Sequence, residues 1–391
     1  PYLIATTHVG LKKYYGTTVN RLFRETFDAL QQHWDSLPAQ PNSARPLIEL
    51  PAGNHTTYQW PLALNDTLLL TVKEDYDRTS RFVCLDRRSG KEKIIARTGI
   101  ISSRPVLCGN RLWWSEYRRS LLFEERVNSQ LCYLDLPNDS DKTTATDRDK
   151  GATLRTHGHP RILKGIRNAL YPTAMRDGAL AWVEYTAARG YSVVRYDGLT
   201  LCERTYVPMD KEIHGLAWDD TTKALYTLIT DDSGMWLGRF ADDGTLQQLT
   251  EGAYITLSDL RAGGGKLYFG SIASGRDEVH AYDLTAGREY RLTTSTYGAF
   301  DGAPTVNGDS LLLTTYDRHG YTLAAQSTAS ATPVAPEKLP ANVVNPRRER
   351  WPIINLDTVQ FTLADSAAQT ARHPASSEGK ALHAHVSYTH I

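Results

Sequence analysis

Six times along this chain of 391 residues a small polar turn runs straight into a leucine and a strand-forming stretch. The instances are Asn65-Asp66-Thr67-Leu68, Gly109-Asn110-Arg111-Leu112, Asp177-Gly178-Ala179-Leu180, Thr222-Lys223-Ala224-Leu225, Gly264-Gly265-Lys266-Leu267 and Gly308-Asp309-Ser310-Leu311. Successive leucines are 44, 68, 45, 42 and 44 residues apart, so one period holds everywhere except at a single insertion. A period in that range, made wholly of short strands, specifies the blades of a β-propeller. The expected fold class is therefore all-β: a six-bladed propeller with one N-terminal helix and an irregular C-terminal tail.

Each unit reads as an inner strand, the leucine-led second strand, a third strand ending near Asp, and an outer strand. The fifth is the clearest, with Leu267–Ser271, Val279–Tyr282 and Tyr290–Thr293 separated by Ser274-Gly275-Arg276-Asp277 and Asp283-Leu284-Thr285-Ala286-Gly287. Gly and Asp tolerate the positive φ that such hairpin turns require. Asp86, Asp135, Asp197 and Asp283, each ending a third strand, read as turn caps. The sixth unit has no outer strand of its own, because 329–340 is rich in Ala, Thr and Pro. Leu47-Ile48-Glu49-Leu50 precedes the first unit and is expected to fill that place, tying the ends of the ring and removing an exposed edge.

Val19, Leu22, Phe23, Phe27, Leu30 and Trp34 recur at helical spacing opposite charged residues, which predicts a helix over 18–34 capped by Thr17 or Thr18. The expected organisation is 1–36 as the helical tail of a preceding domain and 37–44 as a linker. The propeller then spans 45–327, with strand 45–50 closing the last blade, and 328–391 forms a Pro-containing linker and tail. The insertion in the second unit reads as a polar loop over 138–151, and Val359–Leu363 alternates like an isolated strand. Pro1 opens the chain without a charged-then-apolar leader, so it reads as part of a longer or processed polypeptide.

The 44 basic and 44 acidic side chains balance, which argues against nucleic acid as a partner. No apolar run is long enough for a membrane-spanning helix. Cys84 and Cys132 fall in third strands and point to opposite faces of their sheets, reading as buried thiols. No Gly-x-Ser-x-Gly elbow and no His-Glu-x-x-His helix occurs among these residues, so no catalytic residue, metal ligand or cofactor is assigned. Asp147-Arg148-Asp149-Lys150-Gly151 lacks the ligand spacing of a calcium loop, and His157-Gly158-His159 lacks partners at ligand spacing.

Aligning the units on their inner strands brings Trp60-Pro61, Arg104-Pro105, Tyr171-Pro172, His214-Gly215, Ser258-Asp259 and Ala303-Pro304 to one position. Inner strands line a propeller's central channel. Tyr58, Trp60, Arg104, Tyr171, Glu212, His214, Ser258 and Asp301 are therefore the candidate partner-binding residues, expected around one channel mouth.

The run from Ser274 through Thr293, followed by Asp301-Gly302-Ala303-Pro304, resembles a blade of the TolB-type propeller repeat, with weaker copies over about 45–327. Lys12-Lys13-Tyr14-Tyr15-Gly16, the following helix and Gly53-Asn54-His55-Thr56-Thr57-Tyr58 resemble large exported envelope proteins of Bacteroidetes type. In those, a gluzincin-like metallopeptidase domain precedes the propeller and a β-barrel-like region follows. The resemblance implies a periplasmic or outer-membrane-associated setting. The leading expectation is a monomeric, non-catalytic scaffold that binds a protein or peptide. The alternatives are a substrate-gating propeller for an upstream peptidase domain, and a carbohydrate-binding propeller using Trp60, Tyr171 and Asp301.

Overall fold

The computed structural model describes residues 5–36, 40–120, 122, 125–136, 159–198, 200–305, 307–330 and 332–333. The loop expected at 138–151, His157, the strand at Val359–Leu363 and the C-terminal tail lie outside the described residues. Two helices come first, α1 (Ala5–Tyr15) and α2 (Val19–Ser36). The second follows its predicted span, and Arg21 N donates to Thr18 Oγ1 at 3.2 Å as an N-terminal cap. The first corrects the expectation of a single helix. Its sequence, Ala-Thr-Thr-His-Val-Gly-Leu-Lys-Lys-Tyr-Tyr, has no apolar stripe for periodicity to detect. No residue of α2 is buried, and its stripe, Phe23 and Trp34 included, is exposed.

The rest of the described chain is an all-β propeller. Repeats two to five form four separate antiparallel sheets, each carrying its strands in sequence order. The fifth gains an edge strand from beyond the sixth repeat, Thr332–Pro333 against Arg291 and Tyr290, which corrects the expectation that 328–391 is linker and tail alone. Their inner strands are Ile100–Cys108, Ala169–Ala174, Glu212–Asp219 and Leu257–Gly263. The first and sixth repeats, with inner strands Thr56–Ala63 and Ala299–Pro304, share a single eight-stranded sheet instead of forming two separate ones. This differs from six separate blade sheets, and the cause is local. Thr56 and Thr57 pair in parallel with Gly320 and Tyr321 of the last strand, Gly320–Ser327. Arg45–Pro46 lies antiparallel to that same strand, opposite Ala325 and Ala324. The regular strand there is shorter than the Leu47–Leu50 expectation, although Leu47 N still donates to Leu323 O at 2.8 Å.

The seam depends on a glycine. Gly320 has φ +127°, and a Cβ there would stand 1.9 Å from Thr56 O. Gly320→Ala is expected to lower stability by roughly 2–4 kcal/mol, backbone strain and overpacking together. A urea-unfolding midpoint equal to wild type would show that the seam tolerates a side chain.

Burial explains why the leucine recurs. Leu68, Leu112, Leu180, Leu225, Leu267 and Leu311 are each at most 1% exposed and sit in hydrophobic layers between consecutive repeats. Alternation along a strand sends neighbouring side chains to opposite layers. Leu112 and Trp114 thus pack toward the first repeat, while Trp113 packs toward the third. Cys84 and Cys132 lie in the same layer between repeats one and two, since opposite faces of adjacent sheets meet there. A further layer joins Leu312 and Leu323 of the sixth repeat to Leu69, Val83 and Leu85 of the first. Three of the four Asp residues cap their turns. Asp86 accepts from Arg88 N, Asp197 from Thr200 N and Asp283 from Thr285 N, whereas Asp135 pairs with Arg111 at 2.6 Å.

Candidate functional site

Each of the six inner strands breaks register with its second strand at an equivalent place. The breaks fall between Gln59 and Leu62, Ser103 and Val106, Leu170 and Thr173, Ile213 and Gly215, Ser258 and Arg261, and Phe300 and Ala303. The first bulged residues are Trp60, Arg104, Tyr171, His214, Asp259 and Asp301. A bulge leaves its residue unpaired and re-aims its side chain. Four of these residues have left-handed backbone: Trp60 (φ 52°), Tyr171 (φ 53°), Asp259 (φ 52°) and Asp301 (φ 59°). Two aromatic residues in that region are uncommon, and such strain concentrates where a side chain must be held for a purpose.

A cavity of about 420 Å³ opens along these bulges, lined among others by Trp60, Ser103, Arg104, Tyr171, His214, Ser258, Asp259 and Arg261. That volume lies within the range of small-ligand sites. Bonds across the channel fix the wall. Trp60 Nε1 donates to Asp259 Oδ1 at 3.2 Å, and Trp60 N donates to Asp301 Oδ2 at 3.0 Å. Tyr171 N donates to Ser103 Oγ at 2.9 Å. Arg104 Nη1 reaches Asp259 O at 3.3 Å and Gly302 O at 3.2 Å, while Arg261 Nη2 reaches Pro105 O at 3.1 Å.

These groups perturb one another. Burial raises the Asp301 carboxyl to about 7, and the Asp259 charge adds to it, with Arg104 opposing. Burial and the Arg104 charge both work against the charged form of Arg261, while Asp259 and Asp301 favour it. Burial pushes the Tyr171 phenol up to about 12, so near neutral pH it stays protonated and able to donate.

Of the eight expected residues, Trp60, Arg104, Tyr171, His214 and Ser258 line the cavity. Asp301 lies behind Trp60 as a buried acceptor, 6% exposed. Tyr58 is a correction: it packs in the layer between the sixth and first repeats, and its hydroxyl donates to Glu92. Glu212 is another. It is exposed at the start of its strand, 3.5 Å from His214, and is not part of the cavity wall. Asp259, Arg261 and Ser103 also line the wall. Asp259 stands in the aligned pair Ser258-Asp259, of which the sequence reading selects Ser258, and alignment does not single out Arg261 or Ser103. Alignment on X-Pro places repeats one to three correctly, but the fifth has no Pro and slips by one residue. In the sixth, Pro304 draws the alignment past Asp301-Gly302.

The channel mixes aromatic faces, cationic and anionic groups and fixed hydrogen-bond donors, which suits recognition of a polar ligand. Among the described residues no group of three His, Cys, Asp or Glu is arranged to hold a metal ion. No helix among them is long and apolar enough to cross a membrane.

This combination defines an all-β propeller with a polar, aromatic-lined channel. No family model matches the chain, and no curated protein matches it. Solved structures similar to it include TolB from Acinetobacter baumannii, at 15% identity over 73% of this chain and 71% of that one, TM-score 0.42. The β-propeller domain of the Trilobed protease from Pyrococcus furiosus is 10% identical over 60% of this chain and 67% of that one, TM-score 0.41. A puromycin-hydrolysing peptidase from Mycobacterium tuberculosis is 17% identical over 63% of this chain, which spans only 38% of that protein, TM-score 0.43.

Proposed function

We propose that this chain is a six-bladed, TolB-like propeller without a catalytic site of its own, holding a protein or peptide partner in its channel within a bacterial envelope. The six-fold count rests on six inner strands lying side by side, the sixth beside the first, and on a hydrophobic layer between every consecutive pair. In this reading the ring spans 45–327 with Thr332–Pro333 added to the edge of the fifth repeat's sheet, the chain works as a monomer, and 1–36 and the residues after 333 belong to neighbouring regions. The observation that carries the binding role is the ring of bulges. Every repeat gives up a regular ladder position; in five of them the bulged side chain, Trp60, Arg104, Tyr171, His214 or Asp259, lines the cavity, and in the sixth Asp301 braces Trp60 from behind.

Cross-linking or pull-down from envelope extract tests this. The wild-type chain should recover a partner, and Trp60→Ala combined with Arg104→Ala should lose it while remaining folded. Undiminished recovery by the double variant would rule out the channel as the binding site. The exposed apolar stripe of α2, with Phe23 63% and Trp34 52% exposed, favours a second reading in which the propeller gates access to a peptidase domain upstream. A His-Glu-x-x-His helix in the upstream coding sequence would support that reading, and a signal peptide directly upstream would exclude it.

A further inference from the structure

Two guanidinium groups face the channel short of partners. Arg104, 9% exposed, uses only Nη1, for the Asp259 and Gly302 carbonyls, and its Nε and Nη2 have no hydrogen-bond partner. Arg261 uses Nη2 for the Pro105 carbonyl, and its Nε is likewise unpartnered. Neither arginine forms a salt bridge among the described residues. The carboxylates that could serve them are engaged elsewhere. Asp259 Oδ1 takes the indole N–H of Trp60, and Asp301 Oδ2 takes Trp60 N at 3.0 Å and the Thr314 hydroxyl at 3.2 Å.

Two like charges thus share one wall of a shielded cavity with unmet donors. That arrangement favours an anion, because a bound negative charge offsets their repulsion and accepts the free N–H groups. The planar guanidinium fork matches a carboxylate in a two-pronged geometry. Asp259 on the same wall would repel a doubly charged phosphate more strongly than a singly charged carboxylate. The Trp60 and Tyr171 rings on the same cavity wall suit an organic body attached to the acid.

We infer that Arg104 and Arg261 together hold a carboxylate in the channel, carried by a free organic acid or by the C-terminus of a peptide. This rests on the channel-binding reading above and narrows it to a ligand chemistry. Arg104 and Arg261 also tie repeats two, five and six together through backbone carbonyls, so the test must separate binding from folding.

The whole chain is titrated calorimetrically with benzoate and hexanoate and with their neutral twins, benzamide and hexanamide. A randomised tetrapeptide pool with free C-termini is passed over the immobilised chain beside the same pool amidated. The acids should bind and the amides should not. If the natural source is a peptide, the free pool should be retained and the amidated pool should pass through. If the source is a small acid, only benzoate or hexanoate should bind.

Arg261→Met keeps an unbranched apolar stem and should weaken acid binding about tenfold or more. Losing the bond to the Pro105 carbonyl lowers the ligand-free melting temperature, and a single cooperative transition shows that the variant still folds. Should that variant fail to fold, the acid-against-amide comparison on the wild-type chain decides alone. Equal binding of acids and amides, or equal retention of both pools, would overturn the carboxylate assignment and leave partner binding in the channel standing. Failure of every acid and both pools would overturn the assignment as well, and the envelope pull-down would then judge the wider reading independently.

Discussion

Replacing Trp182 with alanine is expected to destabilise the propeller by about 4–5 kcal/mol, near the top of the range for removing a buried aromatic side chain. Trp182 is 0% exposed and packs in the layer between repeats two and three, with Trp113, Leu131, Leu180 and Val194. Its ring lies 5.9 Å from that of Tyr196. Its indole N–H donates to Glu184 Oε1 at 2.8 Å, and Arg204 pairs with Glu184 Oε2 at 2.8 Å. Truncation therefore opens a cavity and takes one partner from a nearly buried carboxylate. The second repeat has the same device, with Trp114 Nε1 on Glu116 Oε1 at 2.8 Å. Trp182→Phe keeps a six-membered ring but loses the N–H and part of the indole's volume, so it should cost about 2–3 kcal/mol, clearly less than alanine. Urea unfolding with an unchanged m-value is the measurement. A loss below about 1 kcal/mol for the alanine variant would mean that the layer collapses around the gap.

The repeat is legible in the sequence because burial of one leucine per unit in an inter-sheet layer leaves a periodic trace. The bulges leave almost none. Strand alternation puts Tyr58 and Trp60 on the same face, so alternation alone assigns both to the channel. The left-handed turn at Trp60 breaks the alternation, sending Tyr58 into the core and Trp60 into the cavity. A bulge has no obligatory residue type. Here Pro follows it in three repeats, Leu260 in the fifth and Gly302 in the sixth. Arg261 escapes sequence patterning for a related reason, because only the bulge at Asp259 brings the following residues to the channel wall. The fusion of the first and last repeats into one sheet depends on two residue pairs, Thr56 with Gly320 and Thr57 with Tyr321, which no pattern in composition announces.

Stability should fall as pH rises from about 4 to about 7, and Asp301→Asn should flatten that fall. Asp301 is 6% exposed, and burial, followed by the neighbouring Asp259 charge, raises its carboxyl from 3.8 to about 7. Below 3.8 the group is protonated both folded and unfolded and contributes nothing to the pH dependence. Between 3.8 and about 7 the folded chain holds a proton that the unfolded chain has released. Stability then drops by about 1.4 kcal/mol per pH unit, roughly 4 kcal/mol over the whole window. Above about 7 the loss is complete. Asp231 titrates with the opposite sign and in another range. Burial works against its charge, but hydrogen bonds from Lys211 and Ser233 outweigh it and hold the carboxyl well below its usual value, so its contribution is lost only in acid below about pH 4. The asparagine carbonyl can still accept from Trp60 N and Thr314, so the variant keeps the wall intact while removing the proton. At pH 8 it should therefore be more stable than wild type by up to the same roughly 4 kcal/mol, and at pH 4 the two should match. Parallel wild-type and variant profiles across pH 4 to 8 would show that Asp301 ionises in the ordinary carboxylate range. Arg104 would then be neutralising Asp301 rather than standing beside it unpaired.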